Sequence, residues 1–151
     1  MTLSDLQAEG RIRSHKTSRR EVEDLIRLVE RDMVDARVQG VSIDRRFMIG
    51  YEAALTLCTI PLNAAGFKTE GAAHHWTTFR ALPMTMGEAM GDVAEYLDTC
   101  RVKRNLGTYD RGGGITESEL DELLTVVVDL MPRVMAWLNA NHPELLPSGR
   151  S

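Results

Sequence analysis

The sequence predicts an all-α domain, a helical bundle of four to five helices. Apolar residues recur at the three- and four-residue spacing of amphipathic helices in four separate stretches. Sequences typical of helix N-termini precede these stretches, and the connections between them are short. No stretch shows the period-two alternation of a half-buried β-strand. Amphipathic helices with short connections are typical of a bundle that buries one stripe of each helix in a common core.

The length and charge of the chain limit its organisation and its partners. A chain of 151 residues suits a single domain, which at this size buries roughly 68–70% of its unfolded surface. We expect the core to span about residues 18–140, with residues 1–17 as an N-terminal arm. The net charge of −4 argues against a non-specific nucleic-acid coat protein, so any contact with nucleic acid requires a local basic patch.

The cysteines and the apolar segments favour a reduced, cytoplasmic protein. Cys58 and Cys100 form no CxxC pair, and no signal-like apolar run begins the chain. We expect both thiols to pack in the core. The longest apolar segment is interrupted by Glu52, Thr56 and Thr59, and it falls short of the roughly 18–20 residues of a membrane span. No membrane partner is predicted.

Two long helices are predicted in the first half of the chain, after a short N-terminal helix. The first spans residues 18–40 and begins at a capping box in which Ser18 and Glu21 have the required spacing. The second spans residues 42–66 and is expected to be the central core helix. Gly50 is small enough there to let a neighbouring helix approach closely.

Three further helices are predicted in the second half. A short helix in residues 69–81 should end before Pro83, which lacks an amide hydrogen. Capping boxes precede the other two helices, which should span residues 85–103 and 116–139. Together with the preceding helices, they complete the predicted bundle.

Two groups of basic or imidazole side chains permit alternative interpretations. The run from Arg11 to Arg20 is predicted to be a solvated linker, and the alternative is an arm that contacts phosphate. The adjacent His74 and His75 would face different directions on a helix, and no other histidine or cysteine lies at a zinc-like spacing. We therefore predict no metal and no cofactor, and expect one of the two histidines to pack beside Trp76 or to meet a carboxylate.

A polar stretch at the end of the predicted 85–103 helix holds the candidate functional residues. They are three cations, an amide, a phenol and a carboxylate: Arg101, Lys103, Arg104, Asn105, Tyr109 and Asp110. Cations in a last helical turn stabilise the negative end of the helix dipole, which is a sufficient structural reason for them. Cations beside an aromatic ring also suit the phosphate and the base of RNA or of a nucleotide.

The segment Lys103-Arg-Asn-Leu-Gly-Thr-Tyr-Asp110, before a capped terminal helix, resembles the HEPN superfamily of small helical bundles, in particular prokaryotic members with an Arg-Asn followed by Tyr-Asp. Three earlier pieces are also similar to those members: Asp44-Arg-Arg-Phe47, Tyr51-Glu-Ala-Ala54, and Gly66-Phe67 leading to His74-His75. The resemblance covers about residues 18–140 and implies the up-and-down topology of that superfamily.

The catalytic branch of this superfamily carries an arginine followed after four to six residues by a histidine. Two copies meet across a homodimer and cleave RNA without metal. The resemblance places Arg104 at the arginine position and Tyr109 at the histidine position. An unperturbed tyrosine, with a pKa of about 10, is phenolate in only about one molecule in a thousand at neutral pH, whereas histidine exchanges protons there. Lowering the pKa of Tyr109 by about three units would need about 4 kcal/mol.

Three interpretations of Arg104 and Asn105 therefore remain: a structural role at the helix end, a phosphate or RNA contact without turnover, and ribonuclease catalysis. The first functional hypothesis is a HEPN-like RNA- or nucleotide-binding module, which does not cleave, of a toxin–antitoxin or nucleotidyltransferase-associated system. The alternative is a metal-independent endoribonuclease at a homodimer cleft, with Arg104 as the clamp and with Tyr109, or a histidine from elsewhere in the chain, as the acid–base group. The third is an interaction protein whose helices form a homodimer through their apolar surface, and the resemblance implies that its Tyr109 accepts AMP from a partner nucleotidyltransferase.

Overall fold

A computed structural model describes the backbone of residues 1–109 and 114–147, and the side chains of the same ranges except residues 106–109. It confirms the predicted all-α class, because this part of the chain is a bundle with six α-helices and one two-stranded sheet. The elements in chain order are α1 (Leu3–Ala8), β1 (Ile12–Ser14), α2 (Arg19–Asp35), α3 (Ile43–Ala64), β2 (Phe67–Thr69), α4 (His74–Met86), α5 (Gly91–Tyr109) and α6 (Glu117–Asn141). Short 3-10 turns lie at Glu88–Met90 and Pro143–Leu145.

The helix α3 is the centre of the bundle, as predicted, and it contacts α2, α4, α5 and α6. Phe47, Tyr51 and Leu57 on this helix are almost completely buried. A Cβ atom at Gly50 would lie 2.8 Å from Cδ2 of Leu124 on α6. The absence of a side chain at Gly50 therefore allows α3 and α6 to approach closely.

Three of the predicted helix starts are confirmed by their capping hydrogen bonds. The hydroxyl of Ser18 accepts from the backbone N–H of Glu21 at 3.1 Å, and Ser42 caps α3 in the same way. At α6, Thr116 and Glu119 form both halves of a capping box. At α2 the carboxylate of Glu21 does not return to the cap, because it is engaged by other side chains described below.

The predicted boundary between α4 and α5 is wrong. The helix α4 continues through Pro83 to Met86, and Gly87, with a φ of 105°, ends it. The hydroxyl of Thr85 donates to the backbone carbonyl of Leu82 at 3.1 Å, so it does not cap a new helix. A proline inside a helix removes one backbone hydrogen bond, and the burial of the adjacent Leu82 offsets that loss.

A short antiparallel sheet, whose first strand lies within the basic run from Arg11 to Arg20, contradicts the expectation that the chain contains no strand. In this sheet β1 pairs with β2, and Arg13 lies opposite Lys68. The N–H of His15 extends the pairing by donating to the carbonyl of Gly66 at 2.8 Å. A strand of three residues is too short to display a period-two pattern, and only tertiary pairing defines it.

The N-terminal segment is packed against the bundle. Leu6 on α1 and Ile12 on β1 are buried in a small cluster with Leu62 and Ala81. Thr2 caps α1 with a complete capping box. Residues in the predicted arm therefore contribute buried apolar surface to the fold.

Among the described residues, one helix, α6, is long and apolar enough to cross a membrane, judged by its length and composition alone. About a third of its most apolar 18-residue segment is buried inside the bundle. This is weak support for a membrane span, because the core helix of a soluble protein passes the same test. Leu120, Leu123 and Val127 on α6 are buried in the bundle core. Cys58 and Cys100 are also buried, as predicted.

Candidate functional site

The N-terminus of α4 and the C-terminal half of α5 form a cleft with a volume of about 270 Å³. Its lining residues come from these two segments: Ala73, His74, His75, Trp76, Arg101, Arg104 and Asn105. Three of the residues singled out in the sequence, Arg101, Arg104 and Asn105, are therefore brought together. The cleft also includes the two histidines, which nothing in the sequence analysis placed near Arg104.

Helical spacing explains why Arg101, Arg104 and Asn105 share the cleft and Lys103 does not. Positions three and four residues apart lie on one side of a helix. Lys103 lies on another side of α5, where its Nζ atom is 2.7 Å from Oε2 of Glu119 at the start of α6. The structure thus separates Lys103 from the other predicted cations.

The cations are not in the last turn of α5, because this helix extends to Tyr109 and its last turn holds no basic residue. The interpretation of these residues as compensators of the helix dipole at its C-terminus is therefore wrong. The end of the predicted helix was placed at Lys103, which is six residues too early. Arg101 and Arg104 are instead presented along the side of a continuing helix.

Carboxylates hold both arginines against the wall of the cleft. Nε of Arg101 donates to Oδ1 of Asp98 at 2.7 Å, and this bond is the main cause of a raised pKa at Arg101. Nη2 of Arg104 lies 3.4 Å from Oε1 of Glu52. The guanidinium of Arg104 also lies over the ring of Tyr51, with Cζ 5.2 Å from the ring centroid. Each arginine side chain remains about one quarter exposed, so both contact solvent in the cleft.

The first turn of α4 adds backbone donors to the same cleft. Ala73 occupies the N-cap position with a φ of 59°, and no side chain of a described residue caps this helix. Alanine is a poor N-cap, because it offers no side-chain acceptor to the first backbone N–H groups. These N–H groups carry the positive end of the helix dipole, and such a terminus suits an anion. Together with the two arginines, the terminus lines the cleft with hydrogen-bond donors that suit an anion.

A buried tyrosine holds one of the histidines. Nδ1 of His75 lies 3.0 Å from the hydroxyl of Tyr51, which is completely buried. Burial raises the pKa of Tyr51 despite the opposing effect of Arg104, so the phenol stays protonated. Burial lowers the pKa of His75, and His74, Arg104 and Arg101 lower it further. At neutral pH the ring of His75 is therefore neutral.

The hydrogen bond between Tyr51 and His75 permits two tautomers of the imidazole. When Nδ1–H donates to the phenol oxygen, Nε2 has a free lone pair and can accept a proton. When the phenol donates to Nδ1, Nε2 carries the hydrogen and can donate to an anion. The pair is thus able to serve either as a base or as a hydrogen-bond donor.

Trp76 adds an aromatic surface at the edge of the cleft. Cζ of Arg11 lies 4.8 Å from the centroid of the Trp76 ring, so one residue of the N-terminal basic run reaches this region. Trp76 also lines a neighbouring groove of about 450 Å³, whose other wall includes Asp92 and Glu95 of α5. Trp76 therefore lines both the cleft and this groove.

The side chain of Tyr109, together with Asp110, lies outside the described residues. Its predicted roles, as a catalytic group and as an acceptor of AMP, therefore stay predictions. The site residues predicted from the sequence did not include Tyr51, His75 or Trp76. No spacing along the chain links these residues to Arg104, since they are brought together by the packing of α3, α4 and α5.

Comparisons of the chain with protein-family models, with curated proteins and with solved structures found no match. Within residues 1–109 and 114–147, no group of three or more histidine, cysteine, aspartate and glutamate side chains is arranged to hold a metal ion.

Proposed function

We propose that this chain is a HEPN-like module that binds RNA or a nucleotide by its phosphate, without cleaving it, in the cleft between α4 and α5. The observation that carries the proposal is the convergence of Arg101, Arg104 and Asn105 on the uncapped N-terminus of α4. Backbone N–H groups at a helix terminus and guanidinium groups are both strong phosphate donors.

The dimensions and the neighbours of the cleft also favour a nucleotide over a bulkier anion. A cavity of about 270 Å³ is below the usual range for a complete drug-sized ligand, but it is large enough for a phosphate group. Trp76 lies beside it, and stacking of a base on an aromatic ring contributes about 1–3 kcal/mol. A phosphate in the cleft with its base on Trp76 would use both features.

Competition binding tests this proposal directly. A fluorescently labelled single-stranded RNA is titrated with the protein, and nucleoside monophosphates and the matching nucleosides are then added as competitors. We expect the monophosphates to displace the RNA and the nucleosides to compete far more weakly. Equal competition by both would show that phosphate is not the recognised group, and absence of RNA binding would reject the proposal.

A second candidate function is metal-independent RNA cleavage, and the position of His75 favours it. His75 supplies the imidazole that is missing at residue 109, and it lines the same cleft as Arg104. Nε2 of His75 would take the proton from a ribose 2′-hydroxyl, whose oxygen then attacks phosphorus while the bond to the 5′-oxygen breaks. Arg104 would stabilise the charge on the phosphorane. The products would be a 2′,3′-cyclic phosphate and, once protonated, a 5′-hydroxyl.

Incubation of RNA with the purified protein in EDTA distinguishes cleavage from binding. Cleavage that is lost in His75→Ala and retained in His74→Ala, a neighbour on the same helix turn, would establish the second function. Intact RNA at high protein concentration would reject it and leave the binding role.

We further propose that the chain forms a homodimer, in which a two-fold axis beside the cleft would place a second Arg104 near the first. Light scattering that finds only monomer at working concentrations would contradict this arrangement. A nucleotidyltransferase partner that transfers AMP to Tyr109 is proposed on the resemblance alone. Mass spectrometry of the co-expressed proteins would detect the adduct, and an unmodified Tyr109 peptide would remove the proposal.

A further inference from the structure

A second polar cavity lies where α2, α3, α4 and β2 meet. It shares no lining residue with the cleft between α4 and α5. Its volume is also about 270 Å³. The side chains that matter for its chemistry are Glu21, Asn63 and Lys68, with hydroxyls from Thr59 and Thr78. The cavity therefore combines a carboxylate from α2, an amide from α3 and an ammonium group from β2.

The carboxylate of Glu21 is held in a defined orientation. Three donors converge on its Oε1 atom: Nε2 of His15 at 2.7 Å, Oγ1 of Thr17 at 2.7 Å and Nδ2 of Asn63 at 3.2 Å. Burial acts to raise the pKa of Glu21, but the bonds from His15 and Thr17 outweigh it and lower the pKa. Glu21 thus remains a carboxylate, and its second oxygen is oriented by the bonds to the first.

Asn63 presents an acceptor that the described protein does not satisfy. The residue is 6% exposed, and its Oδ1 atom is buried without a hydrogen-bond donor among the described residues. The bond from Nδ2 to Glu21 fixes which side of the amide carries the oxygen, because an amide oxygen facing a carboxylate would be repelled. A buried acceptor without a donor destabilises a fold, and a donor on a ligand in this cavity would satisfy it.

The remaining polar groups of the cavity indicate which charged groups a ligand would carry. The hydroxyls of Thr59 and Thr78 donate to backbone carbonyls of their own helices, at 2.9 and 2.8 Å, so their oxygens remain as acceptors. Lys68 adds a positive charge close enough to Glu21 to lower its pKa. Acceptors beside a carboxylate suit a ligand ammonium group, and Lys68 suits a ligand carboxylate.

We propose that this cavity binds a free α-amino acid as a zwitterion. The ammonium group donates to Glu21 and to Oδ1 of Asn63, and the carboxylate pairs with Lys68. The ligand supplies the donor that Asn63 lacks, and its two charges match the two charges of the cavity. Leu25 and Leu62 in the same wall give the side chain of the amino acid an apolar contact.

Thermal unfolding and calorimetric titration with the twenty free amino acids at millimolar concentration test the proposal. A ligand that binds only the folded state raises the melting temperature. We expect at least one amino acid to do so, and its N-acetyl and carboxamide derivatives to fail, since each lacks one charge. No stabilisation by any amino acid, or equal binding of the derivatives, would overturn the assignment.

Two variants check the site independently of the fold. Asn63→Leu retains the volume of the side chain and removes the acceptor, and Lys68→Gln removes the charge on a half-buried strand. Each should weaken amino-acid binding about tenfold or more, as expected for a lost hydrogen bond to a charged group. Arg104→Gln is the control, and it should bind the amino acid like the parent chain. Unchanged binding in Lys68→Gln would refute the proposal even if Asn63→Leu fails to fold.

Discussion

The replacement of Arg104 by glutamine tests the central cleft most directly. The substitution keeps most of the length of the side chain and its ability to donate a hydrogen bond, and it removes the positive charge. Only a modest loss of stability is expected, because the partner Glu52 is nearly half exposed and such ion pairs contribute about 0–1 kcal/mol. The variant should therefore remain folded at the temperature of a binding assay.

The expected loss of RNA affinity follows from the contact that disappears. A hydrogen bond to a charged group contributes about 1.5–3 kcal/mol. Its loss corresponds to a dissociation constant that is roughly 10- to 100-fold larger. Removal of one phosphate contact should also lower the slope of log affinity against log salt by about 0.7 for a single strand. The affinity and the salt slope both depend on the same phosphate contact, so they should change together.

Lys103→Gln is the matched control for this experiment. It removes the same charge from the adjacent position of α5, but Lys103 pairs with Glu119 and lies outside the cleft. Fluorescence anisotropy with a labelled single-stranded RNA, measured at several salt concentrations, gives the affinity and the slope for each variant. Equal weakening and equal slopes for the two variants would refute the reasoning, because binding would then depend on the overall charge and not on the cleft.

Three further predictions concern stability, each measured by urea denaturation. Gly50→Leu should lower the free energy of unfolding by about 1–3 kcal/mol, because a Cβ there already meets Leu124; an unchanged value would contradict the close approach of α3 and α6. Lys103 and Thr116 lower the pKa of Glu119 to about 2, so Glu119→Gln should cost about 1 kcal/mol at neutral pH. That cost should be complete above the unfolded pKa of about 4.3 and disappear as the pH falls towards 2; a cost that persists there would count against the assignment. The pKa of His75 is lowered in the fold, so the unfolded chain binds more protons as the pH falls below about 6.5. Stability should decline in that range, and His75→Gln should reduce the decline; an identical pH profile would show that His75 is not responsible.

Local sequence patterns were sufficient for most of the helices. Ser18, Ser42 and Thr116 offer side-chain acceptors to the amides that follow, and all three cap helices. The apolar face of α3 is likewise buried as its spacing predicts. The prediction failed where tertiary packing overrode a local signal, at Pro83, which lies inside a continuing helix, and at the three-residue strand β1.

Because the boundary between α4 and α5 was misplaced, the proximity of His75 to Arg104 could not be predicted either. The two helices are consecutive and contact each other, and they are joined through the turn at Glu88–Met90. In a helical hairpin, residues at similar distances before and after the turn lie opposite each other. His75 and Arg104 are placed at nearly equal distances from that turn. A prediction that let α4 run through Pro83 would have brought the histidine and the arginine together.

The sequence by itself determined the helical class, most of the caps and the grouping of Arg101, Arg104 and Asn105, because these depend on spacing within one helix. Only the tertiary structure decided that Lys103 pairs with Glu119 outside the cleft, and that His75 lines the cleft while bonded to Tyr51. The physical reason is that contacts between helices depend on where each helix ends and which neighbour it packs against. The end of each helix and its packing neighbours are determined by burial over the whole core, and they produce no periodic pattern in the sequence.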